Sequence, residues 1–306
     1  MKKILFICVI LFLIAHSFFY PEITVNATRK GIEIWFHQIL PALLPFTILS
    51  SILVKSDFLR SFKGNANLIA CLLTLCCGFV FGFPIGAKLS SDFHKQRLIS
   101  EKQATILAIA TNNFSPMYVC GFALPLLFAS TEFNFVTYII LYLIPLVIAT
   151  IYLLLDTHFH PYSTEDETVS NFHLNMSIMD SGILSGFEAL IKICGYIVLF
   201  SIIASVITNI FLQFLAQLPL LLTLLLGNLE ITNGLNLLST AETGMSLKYI
   251  IAIQLLAFGG LSGIAQTGSI LADAGLYMHK YIIGKAALSL LLTLLSVIYV
   301  FFIRLF

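Results

Sequence analysis

Of 306 residues, 59% are hydrophobic and only 10% charged, whereas a soluble domain carries about a quarter charged residues. The formal net charge of +1 is uninformative about nucleic acid, but no basic patch with interleaved aromatics is present, so no nucleic-acid partner is expected. Windows such as Phe135 to Leu155 and Ala286 to Ile303 carry no acidic or basic residue and suit a hydrocarbon layer of about 30 Å. A β-barrel would instead show alternating segments of about ten residues, so the expected class is an all-α polytopic membrane protein.

In chain order, Lys2-Lys3 precede the apolar run Ile4 to Tyr20, which has the basic start and apolar core of a signal peptide. Val25-Asn26-Ala27 would pass for a cleavage site, but the run nearly spans a bilayer. Residues 1–27 therefore read as an uncleaved, signal-anchor-like helix. A first unit over 28–155 contains a long apolar helix, Ile32 to Val54, and a shorter run, Leu68 to Gly86, ending in Gly82-Phe83-Pro84-Ile85-Gly86-Ala87-Lys88. Next comes a helix, Ala104 to Phe128, broken by Thr111-Asn112-Asn113-Phe114-Ser115-Pro116, and then the plain helix Phe135 to Leu155. Residues 156–180 are hydrophilic, include Glu165-Asp166-Glu167, and read as a loop.

The order recurs over 181–306. Ile183 to Leu215 is long, and Leu218 to Gly234 is short and ends in Glu230-Ile231-Thr232-Asn233-Gly234. Tyr249 to Ala272 is broken at Gly259-Gly260-Leu261-Ser262-Gly263, and Tyr281 to Ile303 is plain. Spacings agree: Gly86 to Asn113 is 27 residues and Gly234 to Ser262 is 28. Helix-breaking words at matching places in two repeats point to a transporter's binding site.

If every apolar run crosses, Lys2, Lys3, Lys55, Arg60, Lys63, Lys280 and Lys285 face the cytoplasm and eight basic residues face out. If the runs before Gly86 and Gly234 are re-entrant, Lys88, Lys95, Arg97 and Lys102 move inside, giving eleven against four. The positive-inside rule selects the second arrangement. Each unit then crosses three times, which makes the fold an inverted repeat of two half-units, each with a re-entrant segment and a broken helix.

Polar groups at membrane depth are costly, so those in the breaks are the binding candidates. Glu230 would accept hydrogen bonds from a substrate or hold a coupling H⁺ or Na⁺; the plainer alternative is a carboxylate at the membrane surface. Pro116 cannot donate to the helix ladder and frees a carbonyl near Asn112. With Asn112, Asn113 and Ser115, that carbonyl suits a Na⁺ or a polar substrate, or else an internally bonded kink. Pro84 and Gly86 make a tight turn near Lys88, which either attracts an anion or snorkels to water. Ser262 and Gln266 share a helix face, and Thr232 and Asn233 complete the candidate set. Pro84, Gly86, Pro116 and Gly234 are the structural breaks. Glu188 and Lys192 stand at i and i+4 and read as a pair. The six cysteines lie in apolar stretches without metal-ligand spacing, and no catalytic motif is present. Neither a metal nor an enzymatic role is expected.

Five words, Leu40-Pro41-Ala42-Leu43-Leu44-Pro45-Phe46, Gly82 to Leu89, Thr111 to Tyr118, Glu230 to Leu235 and Gly259 to Leu271, resemble those of the nucleoside-recognition (Gate-domain) membrane proteins, sporulation integral membrane protein branch. The resemblance implies Gate-like half-units and a binding role for Asn112, Asn113, Glu230, Asn233 and Gln266. It further implies a secondary transporter of a small polar or anionic metabolite, dipicolinate- or nucleoside-like, in a bacterial plasma or forespore membrane. The alternative is a non-transporting scaffold for spore or envelope assembly. Expected partners are a small-molecule substrate and the lipid bilayer, with a homo-oligomer admitted and no cofactor beyond a coupling Na⁺ or H⁺.

Overall fold

The computed structural model describes residues 2–56, 58–61, 66–128, 133–159, 175–215 and 218–303. Helix α1 (Lys2–Phe19) is apolar all round and leaves Ile4, Phe6, Leu11 and Ile14 uncovered. The chain bends by 106° at Tyr20 into α2 (Pro21–Ile34). Residue 27 therefore lies inside a helix, and the first boundary falls earlier than expected. Pro21 is the cause, because its ring cannot continue a helix but suits the first turn of a new one. A π-helical turn at Trp35–Ile39 leads into α3 (Leu40–Lys55), just ahead of Pro41, which has no N–H for the carbonyl four residues back.

Helix α4 (Ala66–Phe81) and α5 (Ile85–Lys95) form a hairpin whose tip is Gly82-Phe83-Pro84. Gly82 has φ +71°, a conformation glycine takes without strain. A capping box of Ser100 and Gln103 starts α6 (Glu101–Thr111). The helix stops at Asn112, since Pro116 can supply no N–H. Ser115 caps the short α7 (Pro116–Tyr118), which continues through the π turn Val119–Ala123 into α8 (Leu124–Leu127). Then α9 (Asn134–Tyr138), the π turn Ile139–Leu143 and α10 (Ile144–Phe159) form one apolar span.

The 40-residue α11 (Met176–Leu215) opens the second unit and is about 60 Å long. Helical structure extends to Phe159 and is present again from Met176, so both edges of the expected 156–180 loop are helical. Glu165-Asp166-Glu167, His160 and His173 lie outside the described residues. Helix α12 (Pro219–Leu229) and α13 (Ile231–Thr240) form a second hairpin with Glu230 alone at its tip. Helix α14 (Met245–Phe258) and α15 (Gly260–Ala272) are two parts of one span, interrupted at Gly259, where φ is +83°. Helix α16 (Met278–Ile303) closes the chain.

The two hairpins are built alike. A Cβ on Gly78 would stand 3.1 Å from Gly86 Cα, and one on Gly227 would stand 3.1 Å from Gly234 Cα. Thr111 of α6 presses on the first crossing and Leu255 of α14 on the second. The units are inverted. Glu101, at the start of α6, pairs with Lys280, and Asp273, just past α15, pairs with Lys192 beside Lys88 and Lys95 of the first hairpin. Lys248, at the start of α14, bonds Ser239 O of the second hairpin instead, where Tyr249 also meets Phe128 and Phe133. So α6 and α14 enter the molecule from opposite ends.

Helices α2 and α3 run antiparallel along α11. Gly182 meets Ile52, Gly186 meets Ile48 and Gly31 meets Val198, while Trp35 Nε1 donates to Leu190 O at 2.9 Å. Small residues let these backbones approach in place of the hydrophobic drive that lipid removes. Among the described residues, four helices are long and apolar enough to cross a membrane, or five counting the bent pair of α1 and α2. Their outer faces expose large apolar side chains such as Leu154, Ile191, Ile283 and Leu290, as a lipid-facing surface requires.

Candidate functional site

Both hairpin tips and both helix breaks converge on one cavity of about 120 Å³. Phe83 comes from the first tip, and Phe114, Ser115 and Tyr118 from the first break. Glu230, Ile231 and Thr232 come from the second tip, with Gly259, Ser262, Gly263 and Gln266 from the second break. The scaffold closes the remaining side with Ile34, Ile39, Leu43 and Ile197. Five expected residues, Ser115, Glu230, Thr232, Ser262 and Gln266, are thereby brought together.

Glu230 is buried, at 5% exposure. Its Oε1 accepts Thr232 N–H at 3.1 Å and its Oε2 accepts Asn233 N–H at 2.9 Å. The carboxylate thus caps α13 and is stabilised by the positive end of that helix, with no ion pair to a basic side chain among the described residues. Helix α15 begins at the same cavity with no side-chain cap. Gln266 Nε2 donates to Ser262 Oγ at 3.0 Å, and its buried Oε1 has no partner. The buried Tyr118 hydroxyl faces Glu230 and Thr232. An aromatic wall completes the site, with Phe83 and Phe114 ring centroids 6.4 Å apart and Phe114 and Tyr118 rings stacked at 4.9 Å.

A second, polar cavity of about 160 Å³ lies on the side where α15 ends. Lys88, Asp92, Lys95, Glu188, Lys192 and Asp273 line it, and Gln266 borders both cavities. Lys88 belongs here, 2.7 Å from Asp92, and lies away from the aromatic cavity. Lys192 pairs with Asp273 at 3.4 Å; the pairing expected with Glu188 gives way to a contact between α11 and the end of α15.

Asn112 and Asn113 line a different place from the one expected. Asn113 Nδ2 donates to Ala110 O at 2.7 Å and Leu141 O at 3.4 Å, and Asn112 Nδ2 donates to Thr267 Oγ1 at 2.8 Å and Tyr281 OH at 2.9 Å. The carbonyls freed by the break are also taken. Asn112 O accepts Lys285 Nζ at 2.9 Å, Asn113 O accepts Phe83 N–H at 2.6 Å and Phe114 O accepts Tyr142 OH at 2.9 Å. These residues bind the first tip, α15 and α16 to the break, behind the aromatic cavity. Asn233 also points away, its Oδ1 accepting Lys30 Nζ at 2.7 Å.

Sequence reasoning missed Lys285, which it counted as a cytoplasmic charge. The side chain is 1% exposed, with Nζ also donating to Asn113 Oδ1 at 2.6 Å. A lysine two turns into an apolar helix, opposite a proline-freed carbonyl, was the available signal. The aromatic wall was missed because Phe83, Phe114 and Tyr118 are unremarkable in a chain with 27 phenylalanines.

Apolar spans, paired hairpins and broken helices define the class, a multi-pass α-helical integral membrane protein. Within it, the chain is similar to the sporulation integral membrane protein YlbJ of Bacillus subtilis, 26% identical over 90% of this chain and 77% of that protein. The likeness supports the resemblance to the sporulation integral membrane protein branch carried by the five words. No family model and no solved structure matches the chain.

Proposed function

We propose that this protein is a secondary transporter that moves a small, planar, polar or anionic metabolite by alternating access, in a sporulation-related role. The likeness to a sporulation integral membrane protein supports the setting. The observation that carries the transport reading is the single cavity where two hairpin tips and two helix breaks meet. Broken helices at a repeat interface are where carriers hold their cargo. Phe83, Phe114 and Tyr118 offer faces for a flat ring. The uncapped start of α15 favours negative charge, and Gln266 Oε1, Thr232 and Ser262 supply hydrogen bonds. Dipicolinate-like and nucleoside-like cargoes both present a ring with polar edges.

Uptake of labelled dipicolinate and of nucleosides into proteoliposomes tests the reading. Flux of one class is expected, falling more than about ten-fold, a loss of about 1.4 kcal/mol, in Phe114→Ala and Gln266→Ala. It should persist in the lipid-facing Leu290→Ala. A sporulation phenotype that survives both cavity substitutions, with no flux of either class, would establish the scaffold alternative instead.

A further inference from the structure

Lys285 sits seven residues into α16, about 10 Å along its axis, and is fully packed over. A lone ammonium at such depth is expensive, yet no acidic side chain forms an ion pair with it among the described residues. Its partners are a main-chain carbonyl that Pro116 released and a side-chain amide oxygen, Asn112 O and Asn113 Oδ1. The amide orientation follows from its other bonds, because Asn113 Nδ2 is committed to Ala110 O. A third acceptor, Asn112 Oδ1, is buried and unpartnered. It belongs with Tyr281 and Lys285 to the lining of a small cavity of about 20 Å³.

Carbonyl and amide oxygens of an unwound helix are the donor set that holds a hard monovalent cation such as Na⁺. An ammonium carries the same charge and makes the same demand on those oxygens. We infer that Lys285 is a tethered cation filling this site, so that the protein binds no Na⁺ at the first helix break. The second break has no counterpart, since its Gly259 and Gly260 take left-handed conformations without exposing an amide pair. The site lies where Phe83 N–H of the first tip bonds Asn113 O, so the fixed charge holds tip, break and α16 together continuously. The consequence for coupling rests on the transporter reading, namely a carrier whose cycle does not use Na⁺ here. The occupancy itself does not depend on that reading.

The test is thermal stability of the purified full chain, with NaCl replaced by choline chloride at a constant total of about 150 mM. Without substrate in the assay, failure here is separable from failure of the transport reading. Wild type should melt within about 1 °C in the two salts. Lys285→Ala, which clears the oxygens and leaves room, should melt lower in choline and recover by several degrees with saturable Na⁺ dependence. Lys285→Met, which fills the space without a charge, should melt lower and recover nothing. A saturable, Na⁺-specific rise in wild type overturns the inference, whether or not the variants fold. So does a folded Lys285→Ala that is indifferent to Na⁺.

Discussion

Replacing Gly234 by alanine tests the hairpin crossing directly. A Cβ there would fall inside the contact limit of Gly227 Cα, 2.9 Å from Gly227 N and 3.3 Å from Leu255 Cδ1. Two of those atoms are main chain, so relief requires moving α12 away from α13. Overpacking of this kind costs about 1–3 kcal/mol, and rigid neighbours put Gly234 at the upper end. Alanine returns about 1 kcal/mol through helix propensity, leaving a net loss of about 2 kcal/mol. At roughly 2 °C per kcal/mol for a chain this long, the melting temperature should fall by about 4 °C. The internal control is Gly195→Ala in the middle of α11, where a Cβ meets nothing within 4 Å; it should melt slightly higher than wild type. Heating purified samples and measuring the fraction left in the monodisperse size-exclusion peak gives both values. If Gly234→Ala melts at or above Gly195→Ala, the crossing is looser than described and the argument for matched hairpins fails.

Other substitutions separate structural from cavity-lining polar groups. Glu230→Ala removes the acceptor of two N–H groups at the start of α13 and should cost about 0.5–2 kcal/mol, read as a lower melting temperature. Asn113→Ala takes one of two acceptors from a buried ammonium and should cost about 1.5–3 kcal/mol, read as a melting temperature lower by several degrees. Gln266→Leu should melt like wild type or higher, because the replaced amide already has an unsatisfied oxygen, while flux through the cavity is lost. Asp273→Asn breaks a pair whose side chains are both 55% exposed, so its effect should stay within about 1 kcal/mol and below the resolution of the melt.

Much of the architecture was legible because bilayer physics leaves strong marks. Uninterrupted apolar runs and glycine–proline words marked the long apolar helices, both hairpins and both breaks. Two expected crossings, Ile32 to Val54 and Ala104 to Phe128, nevertheless fold as shorter pieces that are not long enough to span. Tertiary pairing was not legible. Nothing local to Asn112 and Asn113 distinguishes an amide that faces cargo from one that binds α15 and α16. The choice is made by Lys285, Thr267 and Tyr281, all more than 150 positions away. The π turns at Trp35–Ile39 and Ile139–Leu143 each end two residues before a proline, Pro41 and Pro145, a local signal that the apolar runs masked. The end of α1 moved for a local reason, Pro21, which the apolar run overshadowed.

The two breaks solve one problem differently, and the difference bears on which half can move. In the first, each released carbonyl from Asn112 to Phe114 is captured by a donor from elsewhere: Lys285, Phe83 N–H and Tyr142 OH. Displacing the first break would strip these three hydrogen bonds, one each to α16, the first tip and the π turn before α10, each costing about 1–3 kcal/mol when left unmade. In the second, Gly259 and Gly260 turn the chain by conformation alone, and Gly260 has only carbonyl oxygens of the second hairpin as its nearest neighbours, at 3.4 Å and beyond from a built Cβ. Glu230 satisfies its own helix, so the tip carries its cap with it. The first break is thus tied on three sides, whereas the second hairpin is held by side chains, Lys30 on Asn233, Lys248 on Ser239 O and Gln254 on Asn228, and its tip is the element expected to shift against the cavity. A disulfide between cysteines introduced at the two tips would limit access to the cavity by holding this second hairpin. One that tied the first tip to its own break should leave access unchanged.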